Sequence, residues 1–531
     1  MSIEDLLLRY GAAYRWLATL TVMVATIAVV LSTTIVNVAI PDVMGAFGIS
    51  QVQAQWISTG FLAAMTVTML LTDWTYKSMG LKAGMNVAML VFLVGSILGG
   101  VAPNESIVTL ARVIQGAAAG LVQPLAMILL FQVFPSNQRG MAMGIYGIGV
   151  VLAPALGPWV GGMLIDTFNW HYVFFLGLPF AVLGIVLSNL FLPVRAASIS
   201  VPRFDWLGMI LLCVFVATLL NGLTNAQRLG WGSDPILLQF MVSVFAFGTF
   251  IVWELYTEKP MLDLRIFSSL PFAAAALVSF ILGAGLFGSL YLVPLFVQTI
   301  QGLTPTQAGL LLMPSGMILV VIFPLVGYLS DRLPIGWLIG AGMVIFAWAS
   351  YLTAQVTIAT SFGLLVWWTV LSRLGLGFVF PSLTAGSLRV LPPEWVAQGS
   401  GAINFTRQLG GAFGVNLLAV LLERRTEFHA DALAQTQSGN NPVTLSLIDK
   451  LVSRLNATSL PDFQQAPAAL EFLAQMITAQ ASTFAFQDSF MIVTVIFLVA
   501  LGPTWLLHRA LMRSSARSLR ETAHAIPQET M

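Results

Sequence analysis

Three arginines stand inside apolar runs long enough to cross a bilayer. They are Arg112 in Leu110-Ala-Arg112-Val-Ile-Gln115-Gly116, Arg373 in Leu371-Ser-Arg373-Leu-Gly-Leu-Gly377, and Arg407 in Asn404-Phe-Thr-Arg407-Gln408-Leu-Gly410-Gly411. A charge within a span is costly, so such residues face a bundle interior and either mark a substrate or ion path or tie down the carbonyls of broken helices. A guanidinium presents a planar fork of donors that takes a carboxylate bidentately. The opposite charge is missing from the middle of the spans. Asp42, Glu105, Asp166, Asp234 and Asp488 fall at one set of span ends, and Asp73, Asp205, Glu254, Glu258, Asp263, Asp331 and Glu394 at the other. Ser32, Thr33, Asn37, Gln55, Gln115, Gln123, Asn404 and Gln408 supply uncharged polar groups within the spans, and Trp56, Phe287 and Tyr291 are placed to line a cavity. This is chemistry for binding and moving a polar or anionic amphiphile. Bond-making is disfavoured, because there is no nucleophile beside a base and no phosphate loop, and His171, His429, His508 and His524 lack metal-ligand spacing. The single cysteine, Cys213, excludes an intramolecular disulfide and a cysteine-based metal site. No enzyme activity, metal or cofactor is expected.

A second stretch carries mechanics. Gly144-Ile-Tyr-Gly147-Ile-Gly149-Val-Val-Leu-Ala-Pro154-Ala-Leu-Gly157-Pro158-Trp-Val-Gly161-Gly162 sits in an apolar run, yet is dense in the two residues that most weaken a helix. In lipid, glycines let a neighbouring backbone approach and prolines free carbonyls for neighbours to satisfy. The span is built for contact and bending.

The elements that position these residues are membrane helices. Of 531 residues, 58% are hydrophobic and 8% charged, against roughly 25% charged in soluble domains. Lys plus Arg is 23 and Asp plus Glu 22, which gives no sign of nucleic-acid binding. Apolar runs of spanning length fall near 16–40, 52–72, 81–102, 107–131, 140–163, 172–192, 206–224, 235–256, 272–297, 307–328, 335–355, 362–388, 397–421 and 485–507, which makes fourteen. The polar stretch Met1 to Arg15 precedes a run too long for a signal-peptide core and reads as uncleaved. Lys77, Arg139, Arg195, Arg203, Lys259, Arg265 and Arg332 lie on one side with the tail's Arg509, Arg513, Arg517 and Arg520; the short loops opposite carry Arg228. The positive-inside rule therefore puts both termini in the cytoplasm. A long outer connection, 423–483, contains a turn at Gly439-Asn-Asn-Pro442 and helical periodicity over Leu445 to Leu455 and Pro467 to Gln480.

An internal repeat appears at an offset of eight spans. Arg112-x-x-x-Gly116 in span four matches Arg373-x-x-x-Gly377 in span twelve. Asp73-Trp-Thr-Tyr-Lys77-Ser-Met-Gly80 after span two corresponds to Gly327-Tyr-Leu-Ser-Asp331-Arg332 after span ten. Repeated halves predict six-helix bundles at 1–192 and 272–531, with 193–271 carrying two inserted helices.

Gly157-Pro158-x-x-Gly161-Gly162, with Gly149 and Pro154 upstream, resembles the fifth-helix antiporter motif of major facilitator exporters. Gly327 to Arg332 matches that superfamily's cytoplasmic loop motif, which implies a salt-bridging latch in the second half; in the first half, Asp73 takes the usual Gly place and Lys77 the usual Asp place. Together with Leu31-Ser32-Thr-Thr-Ile-Val-Asn37-Val-Ala-Ile-Pro41, Gln55-Trp56-Ile-Ser-Thr59 and Phe486-Gln-Asp488-Ser-Phe-Met, the chain resembles the EmrB/QacA family of fourteen-span drug:proton antiporters, nearest its EmrB branch. The resemblance implies an all-α major facilitator fold and proton-driven export of amphiphiles from a bacterial inner membrane. It further implies a periplasmic membrane-fusion adaptor and an outer-membrane channel as partners. Where the family carries an aspartate in span one, this chain has Ser32, which cannot take up a proton. That departure implies an electropositive cavity and weakly acidic or anionic substrates such as fatty acids, with Arg112 the first choice for the contact. It also keeps open an uncoupled facilitator. A channel fits the two-fold repeat less well, and a lipid-modifying enzyme would need intramembrane catalytic clusters.

Overall fold

The computed structural model describes residues 2–194, 203–437, 441–455 and 461–524. Arg195 and the start of the expected turn at 439–442 lie outside the described residues, and so do the side chains of Asn37, Pro158, Arg517 and Arg520.

Each apolar run becomes a helix because hydrocarbon leaves no other partner for the backbone. The spans are α1 (Ala13–Phe47), α2 (Gln51–Met69), α3 (Thr72–Gly100), α4 (Glu105–Val133), α5 (Arg139–Thr167) and α6 (Gly177–Phe191) in the first half. Next come α7 (Trp206–Leu229) and α8 (Asp234–Tyr256), then α9 (Leu270–Thr299), α10 (Pro305–Ser330), α11 (Ile335–Thr353), α12 (Phe362–Arg389) and α13 (Val396–Thr436). After α14 (Pro442–Leu455), the last span is shared by α15 (Asp462–Val499) and α16 (Leu501–His524). Among the described residues, 13 helices are long and apolar enough to cross a membrane. The 19 residues of α2, which open on Gln51, Gln53 and Gln55, make the fourteenth.

The repeat seen in the sequence extends to helix ends and packing. Ser50 caps α2 in a reciprocal pair with Gln53, and Thr304 caps α10 the same way with Gln307. In the first half α4 packs on α1, α2 and α3; in the second, α12 packs on α9, α10 and α11. Likewise α1 lies along α5 as α9 lies along α13. The inserted α7 and α8 pack on each other, and α7 rests against α2. Gly80, at φ 78°, turns the chain inside α3, so that the segment before it lies apart from the span that follows.

The long connection at 423–483 is helical where it is described. The 41 residues of α13 extend about 60 Å at 1.5 Å per residue, twice the hydrocarbon thickness. With α15 at 38 residues it forms a hairpin longer than a span requires, and α14 packs on α15. At its base, Asp488 accepts from Arg425 Nε at 2.6 Å and lies 2.7 Å from His429 Nε2.

Candidate functional site

The polar residues named from sequence fall into two groups. The first is an enclosed lock in the first half. Arg112, on α4, is 1% exposed and donates to the carbonyls of Ile57 on α2 (3.3 Å) and Ser32 on α1 (3.1 Å). It also reaches Ser32 Oγ and Gln115 Oε1, each at 2.9 Å, and its guanidinium stacks over Phe61 at 4.0 Å. Gln115 in turn donates to Ser96 Oγ on α3 at 2.9 Å. One cation therefore fastens α1 and α2 to α4, using a hydroxyl and backbone oxygens in place of a carboxylate, and Gln115 ties in α3. Ser32, where the family resemblance implies an aspartate, lies within hydrogen-bond distance of Arg112. Trp56, beside Ile57 on α2, is 40% exposed, and Gln55 is half-buried.

The second group joins the halves. Arg407, on α13, donates to Gln123 Oε1 on α4 at 3.4 Å and to Asn404 Oδ1 on its own helix, and lies 4.8 Å over the Phe380 ring of α12. Asn404 Nδ2 donates to the Ser400 carbonyl at 2.8 Å and meets Met127 Sδ at 2.9 Å. Tyr146 of α5 closes the cluster, with its hydroxyl 3.5 Å from the Gln123 carbonyl and 3.4 Å from Thr26 Oγ1. Arg373 occupies the repeat position of Arg112, yet its environment differs. It is 4% exposed and its Nη1 is buried without a hydrogen-bond partner. None of the three arginines has an ion-pair partner among the described residues.

The Arg-x-x-x-Gly spacing has a steric reason in both halves. A Cβ on Gly116 would strike the Phe61 carbonyl of α2, and one on Gly377 would lie 2.5 Å from Ile322 of α10. Each glycine lets span four or twelve press on span two or ten.

Toward the end that carries the α10–α11 turn, a clasp holds the halves together. Asp331 accepts from the backbone N–H of Gly140 (2.8 Å) and Met141 (2.9 Å), the first residues of α5, where free amides and the helix dipole favour an anion. Arg389, from the end of α12, pairs with the same carboxylate and donates to the carbonyls of Ser330 (3.2 Å) and Ser136 (3.3 Å). Within this motif Asp331 takes Arg389, whereas Arg332 stacks on Tyr328 at 4.2 Å. The reason is geometric, since the end of α12 delivers a donor to Asp331 while Arg332 turns back along α10. In the first half Asp73 is 6% exposed and binds Lys77 at 2.7 Å, one helical turn away and just before Gly80.

Sequence reasoning missed Arg389 and the backbone contact beneath it. A Cβ on Gly140 or Gly144 would run into α10, against Ser330 and Gly327 or the Phe323 carbonyl, and one on Gly327 would meet the Gly140 carbonyl. The Gly140-x-x-x-Gly144 spacing was the available signal. Further along α5, Gly157 abuts Thr34 Oγ1, and a Cβ on Gly161 would lie 2.7 Å from Ile35, so these two press α5 onto α1. Gly162 faces open space and Gly149 makes only ordinary contact, while the Pro154 carbonyl lies 3.5 Å from Thr34 Oγ1.

A family model described as Major Facilitator Superfamily matches residues 22–415. The multidrug export protein EmrB of Escherichia coli strain K12 is 31% identical over 92% of this chain and 94% of its own length. The fatty acid resistance protein FarB of Neisseria gonorrhoeae is 29% identical over 93% of this chain and 96% of its own. Among solved structures, the human organic anion transporter MFSD10 superposes with a TM-score of 0.60 at 14% identity, covering 93% of this chain and 99% of that one, a likeness of fold alone.

Proposed function

The chain belongs to the major facilitator superfamily, and from that premise we propose that it is a secondary active exporter of amphiphilic compounds, a proton antiporter of a bacterial inner membrane. The observation that carries this reading is similarity over nearly the full length to a protein named for multidrug export. Residues 1–192 and 272–531 act as two rocking bundles around a midplane site, with 193–271 as an inserted pair. The end closed by Asp331 faces the cytoplasm with both termini, as the excess of Lys and Arg in its loops supports. In this arrangement the inner gate is shut.

The substrate is an anionic amphiphile. Buried cations without a carboxylate partner favour a negative guest, and the low local dielectric magnifies the preference. Arg407 contacts both halves and is the donor we assign to the substrate headgroup. Arg112, expected from sequence to bind substrate, spends its recorded hydrogen bonds on Ser32, Ile57 and Gln115, and its role in this reading is to hold the wall of the site. The absence of an acid at position 32 favours a second reading, a facilitator or dedicated exporter of anions such as fatty acids, and the name of one relative fits it. The projecting hairpin supports a periplasmic adaptor as partner, since it exposes Val443, Leu445, Leu470, Phe472 and Met476 beyond the span length.

The test compares Arg407→Ala, Arg407→Lys, Arg112→Ala and Ser32→Asp for export of matched anionic and cationic amphiphiles. Ser32→Asp is expected to weaken anion export, and Arg407→Ala to abolish it with only partial recovery in Arg407→Lys. Unchanged anion export in both Ser32→Asp and Arg407→Ala defeats the proposal.

A further inference from the structure

Away from both bundles, the inserted pair holds two acids that the export reading does not use. Asp205 caps α7 and Glu254 lies in the last turn of α8. Asp205 Oδ1 accepts from Gly208 N and from Trp253 Nε1, each at 2.9 Å. Glu254 Oε2 accepts from Leu262 N at 3.1 Å, in the segment that leads into α9. Each carboxyl has one oxygen left, and Asp205 Oδ2 and Glu254 Oε1 are both buried without a partner. They converge, because a Cβ placed on Gly208 would collide with both. Glu254 is 3% exposed, so water does not relieve it.

Among the described residues no cation balances the pair, and neither carboxyl takes part in an ion pair. Of the charges that flank it along the chain, Arg203, Glu258 and Lys259 stand exposed, and Arg265 pairs with Asp263 at 3.0 Å. The start of α3 reaches this corner through Trp74, whose ring lies 4.9 Å from that of Phe204, and its charges Asp73 and Lys77 bind each other.

We propose that Asp205 and Glu254 form a proton-binding site that holds one proton between Oδ2 and Oε1 at neutral pH. Two carboxylates confined to one place cannot both ionise. A single shared proton makes one oxygen a donor to the other and satisfies both buried atoms at once. The site joins the start of α7, the end of α8 and the approach to α9. Loss of its proton leaves two anions in a closed corner and drives those three apart. The claim concerns protonation of the inserted pair and does not rest on the export reading.

The experiment is infrared spectroscopy of the purified full-length protein at neutral pH, in light and heavy water. The wild type is expected to show the carbonyl band of a protonated carboxylic acid, shifted by deuterium. Glu254→Gln removes it, and Asp205→Asn shifts its frequency, because the oxygen that shares the proton is replaced by an amide. No such band in the wild type, or a band that Asp205→Asn leaves unshifted, overturns the proposal. So does loss of the band on adding Na⁺ or Ca²⁺, which would make the pair a cation site.

Discussion

Replacing Asp331 by asparagine is expected to open the clasp between the halves. In the structure its carboxylate accepts two amides at the start of α5, at 2.8 and 2.9 Å, and pairs with Arg389. Hydrogen bonds to a charged group contribute roughly 1.5–3 kcal/mol each, against about 1 kcal/mol for a neutral one. Taking the two amide bonds alone, asparagine exchanges roughly 3–6 kcal/mol for about 1 kcal/mol, so the net loss is about 3 kcal/mol, or roughly 100-fold in the ratio of clasped to open forms. The reporter is Ser330→Cys in a Cys213→Ala background. Ser330 is 1% exposed and sits against Gly140, so its thiol is shielded while the clasp holds. When closing is fast, the rate of maleimide labelling follows the open population. Labelling is expected to rise about 100-fold in Asp331→Asn, and Arg389→Gln should raise it in the same direction. Labelling that does not change in Asp331→Asn would refute the clasp as the element that keeps this end shut.

Other consequences follow from the same packing. Gly144→Val places a side chain on the Phe323 carbonyl and is expected to expose the Ser330→Cys thiol even with Asp331 intact. Gly157→Leu forces α5 off Thr34 of α1, and should abolish transport while leaving membrane insertion and abundance unchanged, as read by vesicle uptake beside immunoblotting. Arg112→Ala removes a charged donor from the carbonyls of Ser32 and Ile57 and leaves Gln115 Oε1 with the Ser32 hydroxyl, at roughly 1.5–3 kcal/mol for each hydrogen bond from a charged group, which should appear as a lowered melting temperature. Asp488→Ala frees Arg425 and His429 at the base of the α13–α15 hairpin, and limited proteolysis of the hairpin should quicken.

The spans and their two-fold repeat were legible because hydrocarbon imposes one solution on a long apolar run, and because close helix contacts demand glycine at fixed places. Arg112-x-x-x-Gly116 and Arg373-x-x-x-Gly377 looked alike in sequence, and both glycines prove to admit a neighbouring helix. What the two arginines bind was not legible, since Arg112 takes oxygens from three other positions in the fold while Arg373 keeps a bare Nη1. The partner of Asp331 was missed for a similar reason: Arg389 lies 58 positions away and meets it only when α12 packs on α10. In the connection at 423–483, periodicity marks only Leu445 to Leu455 and Pro467 to Gln480 as helical. Pairing with α15 makes α13 one continuous helix.

Gradient-driven export of an anion is measured most directly by uptake into inside-out vesicles. An amphiphilic sulfonate stays ionised and does not follow a pH gradient passively, so its accumulation reports the protein alone. With an acidic lumen, the wild type is expected to concentrate the sulfonate more than a matched quaternary amine, and to lose that uptake when an uncoupler collapses the gradient. Arg407→Ala should show neither effect. Uptake of the amine alone, or sulfonate uptake indifferent to the gradient, would contradict the account.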